Sequence, residues 1–110
     1  MHEMSITQGI VEICENSADG RQVLSVTIEI GELSSVIPEA VEFCFEASVR
    51  DSALEGTRLI IERVPALGRC LTCFAEFHVR AYYDACPSCG NYGVDILTGD
   101  ELRVKELEVE

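Results

Sequence analysis

Four of the six cysteines stand in two close pairs, Cys70 with Cys73 and Cys86 with Cys89, in the pattern C-x2-C-x12-C-x2-C. Each short pair can turn two sulfur atoms toward a common centre, and four thiolates form the tetrahedral shell that Zn(II) prefers. A complete protein shell leaves no position for water or substrate, so we predict a structural zinc and not a catalytic one. Two disulfides or four free thiols are the alternatives, although nothing in the sequence indicates the oxidising compartment that disulfides require.

The start of the chain offers a second kind of metal site. If Met1 is retained, its amine, the amide of His2 and the His2 imidazole can close two adjacent chelate rings around one ion. Glu3 could add its amide nitrogen in the same plane, or its carboxylate on the axis. A nitrogen-rich, square-planar site favours Ni(II) or Cu(II) over Zn(II) or Mg(II). Taken alone, however, a histidine in this position is more often part of a solvated chain end.

Three other residues have side chains that could bind a metal. His78 lies between the two cysteine pairs and could replace a cysteine or sense pH near neutrality, but the simpler interpretation is a hairpin residue packed beside the zinc. Cys14 and Cys44 fall on the apolar faces of predicted helices, and we interpret them as core residues. We interpret several acidic residues as solvated surface charges: Glu12, Glu15, Glu42, Glu106, Glu108 and Glu110.

The charge and composition of the chain exclude several classes of function. The 110 residues include 8 basic and 20 acidic side chains, for a net charge of -12. That balance argues against nucleic acid as a partner, because basic surface supplies most of the affinity for phosphates. No run approaches the roughly 20 apolar residues of a membrane span, and the first residues lack the pattern of a secretory signal. We therefore expect a cytoplasmic protein with no membrane contact.

Hydrophobic periodicity predicts the elements that must position these residues. Ser5 and Gln8 match a capping box that opens a helix over about 5–17, and Pro38 fits the first position of a second helix. Alternating apolar residues predict a strand over 24–30. Further strands are predicted over 57–64, over 94–97 and from Leu102 to the chain end. The expected buried face of the second helix comprises Val41, Cys44, Phe45 and Ser48, widened by Phe43 and Ala47.

The last predicted strand contains a change of phase. Leu102 and Val104 share one face, whereas Leu107 and Val109 fall on the opposite parity. Either a bulge near Lys105 shifts the phase, or the strand is covered on both sides.

These elements predict an α+β fold, with a three-stranded mixed sheet and two helices, plus an inserted four-cysteine zinc-ribbon module. Residues 1–65 and 99–110 would form the α/β domain that carries the chain start, and 66–98 the zinc-binding insertion. Pro65 and Gly68 mark the boundary between the two. Whether the chain is a monomer or a dimer that exchanges strands through this connection stays open.

The chain resembles the HypA/HybF family, the nickel metallochaperones of NiFe-hydrogenase maturation, over essentially its full length. The resemblance is carried by the start Met1-His2-Glu3-Met4-Ser5, the segment Ile30-Gly31-Glu32-Leu33-Ser34, the Pro38-Glu39 helix start, the four cysteines and the end Glu108-Val109-Glu110.

The resemblance implies a function that composition and residue spacing alone do not establish. It implies that Ni(II) binds at Met1, His2 and Glu3, and that structural Zn(II) binds at the four paired cysteines. It also implies delivery of nickel to the hydrogenase large subunit together with the GTPase HypB, in some family members also to urease. We expect no enzymatic activity, because the sequence shows no nucleophile–base pair, no phosphate loop and no open zinc position. Two other classes remain as alternatives: a zinc-ribbon interaction adaptor in which His2 has no role, and a small enzyme with an open-site metal at His2 and Glu3.

Overall fold

The computed structural model describes residues 3–110, and Met1 and His2 lie outside the described residues. Two helices and six strands follow one another along this part of the chain. They are α1 (Glu3–Ala18), β1 (Val23–Gly31), α2 (Pro38–Val49), β2 (Arg58–Val64), β3 (Leu67–Cys70), β4 (Glu76–His78), β5 (Val94–Thr98) and β6 (Leu102–Val109). Over residues 3–110, neither helix has the length and apolar character needed to cross a membrane.

The strands form two sheets of three strands each, in the orders β2-β1-β6 and β4-β3-β5. The predicted fold class is confirmed: two helices accompany a mixed sheet, and the four-cysteine module is inserted before the last strand. The last strand, β6, pairs with β1 in the first sheet. In β6, Val104, Leu107 and Val109 are half-buried while Lys105 and Glu106 are exposed, so the buried face changes parity between Val104 and Leu107.

The first helix begins two residues earlier than the capping box predicted. Ser5 lies inside the first turn of α1, so its predicted role as N-cap was wrong. The hydroxyl of Thr7 donates a hydrogen bond of 2.7 Å to the carbonyl oxygen of Glu3, which ties this first turn together. The helix ends as predicted at Asp19 and Gly20, which both have positive φ.

The second helix begins at Pro38, as predicted, but buries a narrower face than expected. Val41, Phe45 and Val49 are its buried residues and repeat every four positions. Phe43 and Ala47 are exposed, so the prediction that they widen the buried face was wrong. The reason is geometric: a residue two positions from a buried one lies about 200° around the helix, on the opposite side.

The described chain divides into two compact units. One comprises the described residues up to 29, together with 36–62 and 103–110; the other comprises 30–35 and 63–102. Residues 30–35 therefore group with the cysteine-bearing part of the chain. The functional domain limits predicted above, 1–65 with 99–110 and 66–98, stay predictions.

The second sheet contains two strands that hydrophobic periodicity missed, β3 and β4. Both pairings of β3 are antiparallel, with Gly68 opposite Phe77 of β4 and Ile96 of β5. A Cβ at Gly68 would lie 2.6 Å from both Val79 Cγ2 and Val94 Cγ1, so only glycine allows these neighbours to approach. Gly68 therefore lies within β3, the middle strand of this sheet.

Candidate metal centre

The first cysteine pair lies in a tight turn that follows β3. The carbonyl of Cys70 accepts a hydrogen bond of 3.0 Å from the N–H of Phe74, and the N–H of Cys70 donates one of 2.9 Å to the carbonyl of Ala75. These two bonds close the chain on itself around the intervening residues. Phe74 reaches this geometry with a positive φ of 65°, which is uncommon for a residue with a bulky side chain.

The second pair repeats the same turn. The carbonyl of Cys86 accepts from the N–H of Gly90, and the N–H of Cys86 donates to the carbonyl of Asn91, both at 2.8 Å. Gly90 stands at the position equivalent to Phe74 and has a φ of 80°. Glycine adopts this conformation without steric cost. The two turns therefore share one hydrogen-bonding pattern, and each of them presents two sulfur atoms.

The four sulfur atoms converge on one point. The Sγ atoms of Cys70 and Cys89 lie 3.5 Å apart, and those of Cys73 and Cys86 lie 3.6 Å apart. All four atoms lie within 4.8 Å of one another. A disulfide requires about 2.05 Å, so the distances show free thiols, and the disulfide alternative is not what the structure contains.

The donor set and its spacing fit a tetrahedral, thiophilic metal ion. With metal–sulfur bonds of about 2.3 Å, a regular zinc tetrathiolate has sulfur–sulfur distances of ~3.8 Å. The separations of 3.5 and 3.6 Å lie close to that value, and no sulfur pair of the group is more than 4.8 Å apart. Cys70 and Cys86 are buried while Cys73 and Cys89 are exposed, so the centre lies at the edge of its unit.

Backbone N–H groups help to hold negative charge on the first cysteine of each pair. The N–H groups of Cys73 and Thr72 each lie 3.4 Å from the Sγ of Cys70. They lower the pKa of Cys70 to about 6. At Cys86, burial opposes ionisation, but N–H groups of Cys89 and Ser88 outweigh it and lower the pKa.

The surroundings of Cys73 favour its protonated form. The N–H of Ala75 favours the thiolate of Cys73, but partial loss of water around its sulfur and the hydrogen bonds to Cys86 and Cys70 raise its pKa to about 11. The cluster therefore combines thiols with thiolates that share protons, and a bound cation would replace those protons.

His78 does not join the sulfur cluster. Its Nε2 lies 2.9 Å from Oε1 of Glu32, and the same oxygen accepts a hydrogen bond of 2.7 Å from the N–H of Ala66. The hydrogen bond from His78, with that from Ala66, lowers the pKa of Glu32. Sequence reasoning missed the role of Glu32, because residues 46 positions apart along the chain form this pair.

The remaining two cysteines, Cys14 and Cys44, do not belong to the four-cysteine group. Cys14 is fully buried on α1, and burial raises the pKa of its thiol to about 11. Cys44 is half-buried on α2. Both positions agree with their interpretation as packing residues.

Of the predicted nickel ligands, Met1 and His2 lie outside the described residues, and Glu3 begins α1. The carboxylate of Glu3 accepts a hydrogen bond from its own backbone N–H, which lowers its pKa, with a smaller contribution from the N–H of Ile37.

Comparison with known proteins gives one consistent family. The family model described as "Hydrogenase/urease nickel incorporation, metallochaperone, hypA" matches residues 1–109. Proteins named "Hydrogenase maturation factor HypA" from Geobacter metallireducens and Geotalea uraniireducens are each 66% identical to the chain over 110 residues, covering 100% of both partners.

Two solved structures share the fold. The solution structure of the nickel metallochaperone HypA from Helicobacter pylori has a TM-score of 0.69 at 27% identity, and covers 99% of this chain and 97% of its own. A second structure, titled "Solution structure of HypA protein", has a TM-score of 0.73 at 27% identity, and covers 100% of this chain and 97% of its own.

Proposed function

We propose that this chain, which belongs to the HypA family, binds one Ni(II) ion at its N-terminus and hands it on during hydrogenase maturation. The observation that carries the proposal is the full-length match to the family, which includes the first residues and the four cysteines. Membership of the family supports a role in hydrogenase maturation. Nickel as the ion, its ligands and its route of delivery are our proposal.

The nickel ligands we propose are the amine of Met1, the amide and imidazole of His2, and Glu3 through its amide or carboxylate. The start of α1 at Glu3 supports this arrangement, because a regular helix holds the last ligand in a fixed direction. Four donors near one plane suit Ni(II). A chain terminus also exchanges its ion readily, as a carrier requires.

The four-cysteine cluster has a separate role in this proposal. Cys70, Cys73, Cys86 and Cys89 would hold Zn(II), whose tetrahedral preference matches the sulfur spacing. Zinc bound by four thiolates supplies cross-linking of the two turns and no open position for chemistry. The chain would therefore act as a carrier with a stable platform and not as an enzyme.

The partners follow from the delivery role. We propose that the chain works in the cytoplasm with the GTPase HypB and passes nickel to the hydrogenase large subunit, with urease as a further possible recipient. Four closely spaced cysteines without a disulfide fit a reducing compartment, where disulfides are rare.

Titration with Ni(II), followed by visible absorption, tests the nickel site. The zinc-loaded wild type, with a free Met1 amine, should bind one equivalent and show the absorption of a square-planar centre. His2→Ala should lose that band, and so should a chain with two residues added before Met1, which keeps the imidazole but displaces the amine.

Zinc content and circular dichroism should be the same for all three chains. A wild type that binds no nickel beyond its cysteine cluster would reject the proposal in favour of a zinc-ribbon adaptor. Nickel binding that survives the N-terminal extension would show that the ligands lie elsewhere.

A further inference from the structure

The solvent-exposed side of α2 carries an aromatic residue, Phe43, that is not buried within its own unit. Phe43 is 75% exposed, whereas Val41 and Phe45 are buried. Single exposed apolar residues are ordinary and need no explanation. The arrangement of charge around Phe43 is what makes it informative.

Charged and small residues surround Phe43 on one face of the helix. Glu39, Glu42 and Glu46 are exposed, and with Phe43 they stand at positions i, i+3, i+4 and i+7. That spacing places them side by side on a helix surface. Ala47, one turn beyond Phe43, is also exposed and extends its apolar surface. We call these five residues the α2 outer face.

A cleft of about 550 Å³ adjoins this face. Two carboxylates of the outer face, Glu42 and Glu46, line the cleft together with the apolar residues Val49 and Leu59. A partner could therefore cover Phe43 and at the same time place a side chain in the cleft. The other residues of the lining are Phe45, Arg50, Glu55, Gly56 and Thr57.

The net negative charge of the unit that contains α2 favours a partner with a basic surface. The unit that contains α2 has 14 acidic and five basic side chains, a net charge of -9. A second copy of the chain would bring two carboxylate-rich faces together, which like-charge repulsion opposes. A basic surface would instead be attracted to the three glutamates, and an apolar pocket on it could bury the ring of Phe43.

We infer that the α2 outer face docks a protein partner that has an apolar pocket rimmed by lysine and arginine. Phe43 enters the pocket, and Glu39, Glu42 and Glu46 pair with its basic rim. Aromatic residues that fill a desolvated pocket contribute most of the binding energy of an interface, while rim charges mainly raise the association rate. The inference rests on the proposed function, since the partners to be tested are the GTPase HypB and the hydrogenase large subunit named there.

Binding of purified GTPase HypB, and separately of the purified hydrogenase large subunit, provides the test. The full chain would be compared with Phe43→Ala, with the triple variant Glu39→Gln/Glu42→Gln/Glu46→Gln, and with Tyr83→Ala. Tyr83 is 81% exposed in the other unit and serves as the matched control. Because both aromatic side chains are exposed, the single variants should fold normally, and thermal melting checks this.

We expect Phe43→Ala to weaken binding to one of these proteins by at least ~10-fold. The triple variant should bind more slowly at low salt, and the difference from wild type should shrink at high salt. Tyr83→Ala should bind like the wild type. Phe43→Ala within about twofold of wild type would overturn the inference, as would failure of both proteins to bind or an effect of Phe43→Ala on self-association alone.

Nickel titration of the same variants separates this inference from the proposed function. Phe43→Ala should bind nickel as the wild type does. If nickel binding is intact in all chains and Phe43→Ala docks normally, only the docking surface is rejected. If the wild type binds no nickel but Phe43→Ala loses its partner, the docking surface stands and the nickel proposal fails.

Discussion

Phe74 and Gly90 occupy equivalent positions in the two cysteine turns, yet they differ in the strain they impose. Both have positive φ, 65° and 80° respectively. A residue with a Cβ loses about 1–2 kcal/mol in this conformation, and glycine does not. The sequence therefore matches the backbone in the second turn and not in the first.

Substitutions at these two positions should have opposite effects on stability. Gly90→Ala should lower the free energy of unfolding by about 1 kcal/mol, and backbone strain is the reason, because nothing lies within 4 Å of a Cβ placed there. Phe74→Gly should raise it by less, since glycine also gains freedom in the unfolded chain. Chemical denaturation of the metal-loaded chain measures both. A neutral Gly90→Ala would contradict the left-handed conformation of the second turn.

Glu32 stabilises its unit through the carboxylate that His78 and Ala66 share. Because these hydrogen bonds lower the pKa of Glu32 in the folded chain, its contribution is present above its ordinary pKa and is lost as the pH falls through the folded pKa. Glu32→Gln should therefore be less stable than wild type at pH 7, and the two should converge well below pH 4.5. Urea denaturation across this range measures the difference, and a gap that persists at low pH would contradict the assignment.

Alanine substitutions at two glycines, one in α1 and one in β3, should change the free energy of unfolding in opposite directions. Gly9 lies inside α1 with nothing within 4 Å of a built Cβ, whereas a Cβ at Gly68 in β3 would overlap Val79 and Val94. Gly9→Ala should raise the free energy of unfolding by up to ~1 kcal/mol, because alanine is the better helix former. Gly68→Ala should lower it by ~1–3 kcal/mol, because the neighbouring valines must move. Thermal unfolding of the pair measures both, and equal effects would refute the packing of β3.

Elements with a long periodic pattern were predictable from the sequence, and short ones were not. The alternation that begins at Leu24 predicts β1, and Pro38 marks the start of α2, because each depends on local geometry. Strands β3 and β4 span four and three residues, too few to show a period, and tertiary pairing defines them. The capping box at Ser5 failed because the helix extends two residues further toward the chain start.

The candidate site was also predictable only in part. The cysteine spacing predicted a four-sulfur cluster, because two short turns of one kind bring the sulfurs together whatever joins them. The pairing of Glu32 with His78 was not predictable, since it depends on how segment 30–35 packs against a distant hairpin. The exposure of Phe43 was missed because α2 is rich in apolar residues, so more than one of its faces fits the spacing expected for a buried face.

At the scale of the whole molecule, we propose that the chain holds one metal ion for structure and carries another for delivery. The cysteine cluster lies in the unit made of 30–35 and 63–102, and the proposed nickel ligands belong to the start of the chain. Loss of nickel should therefore leave zinc in place, because the two sites share no ligand.

Native mass spectrometry of the untagged chain, supplied with one equivalent each of Zn(II) and Ni(II), tests this separation most directly when His2→Ala is measured beside the wild type. We expect one zinc and one nickel on the wild type, and one zinc without nickel on His2→Ala. A wild type that carries zinc alone, or a variant that keeps its nickel, would contradict a nickel site at the N-terminus.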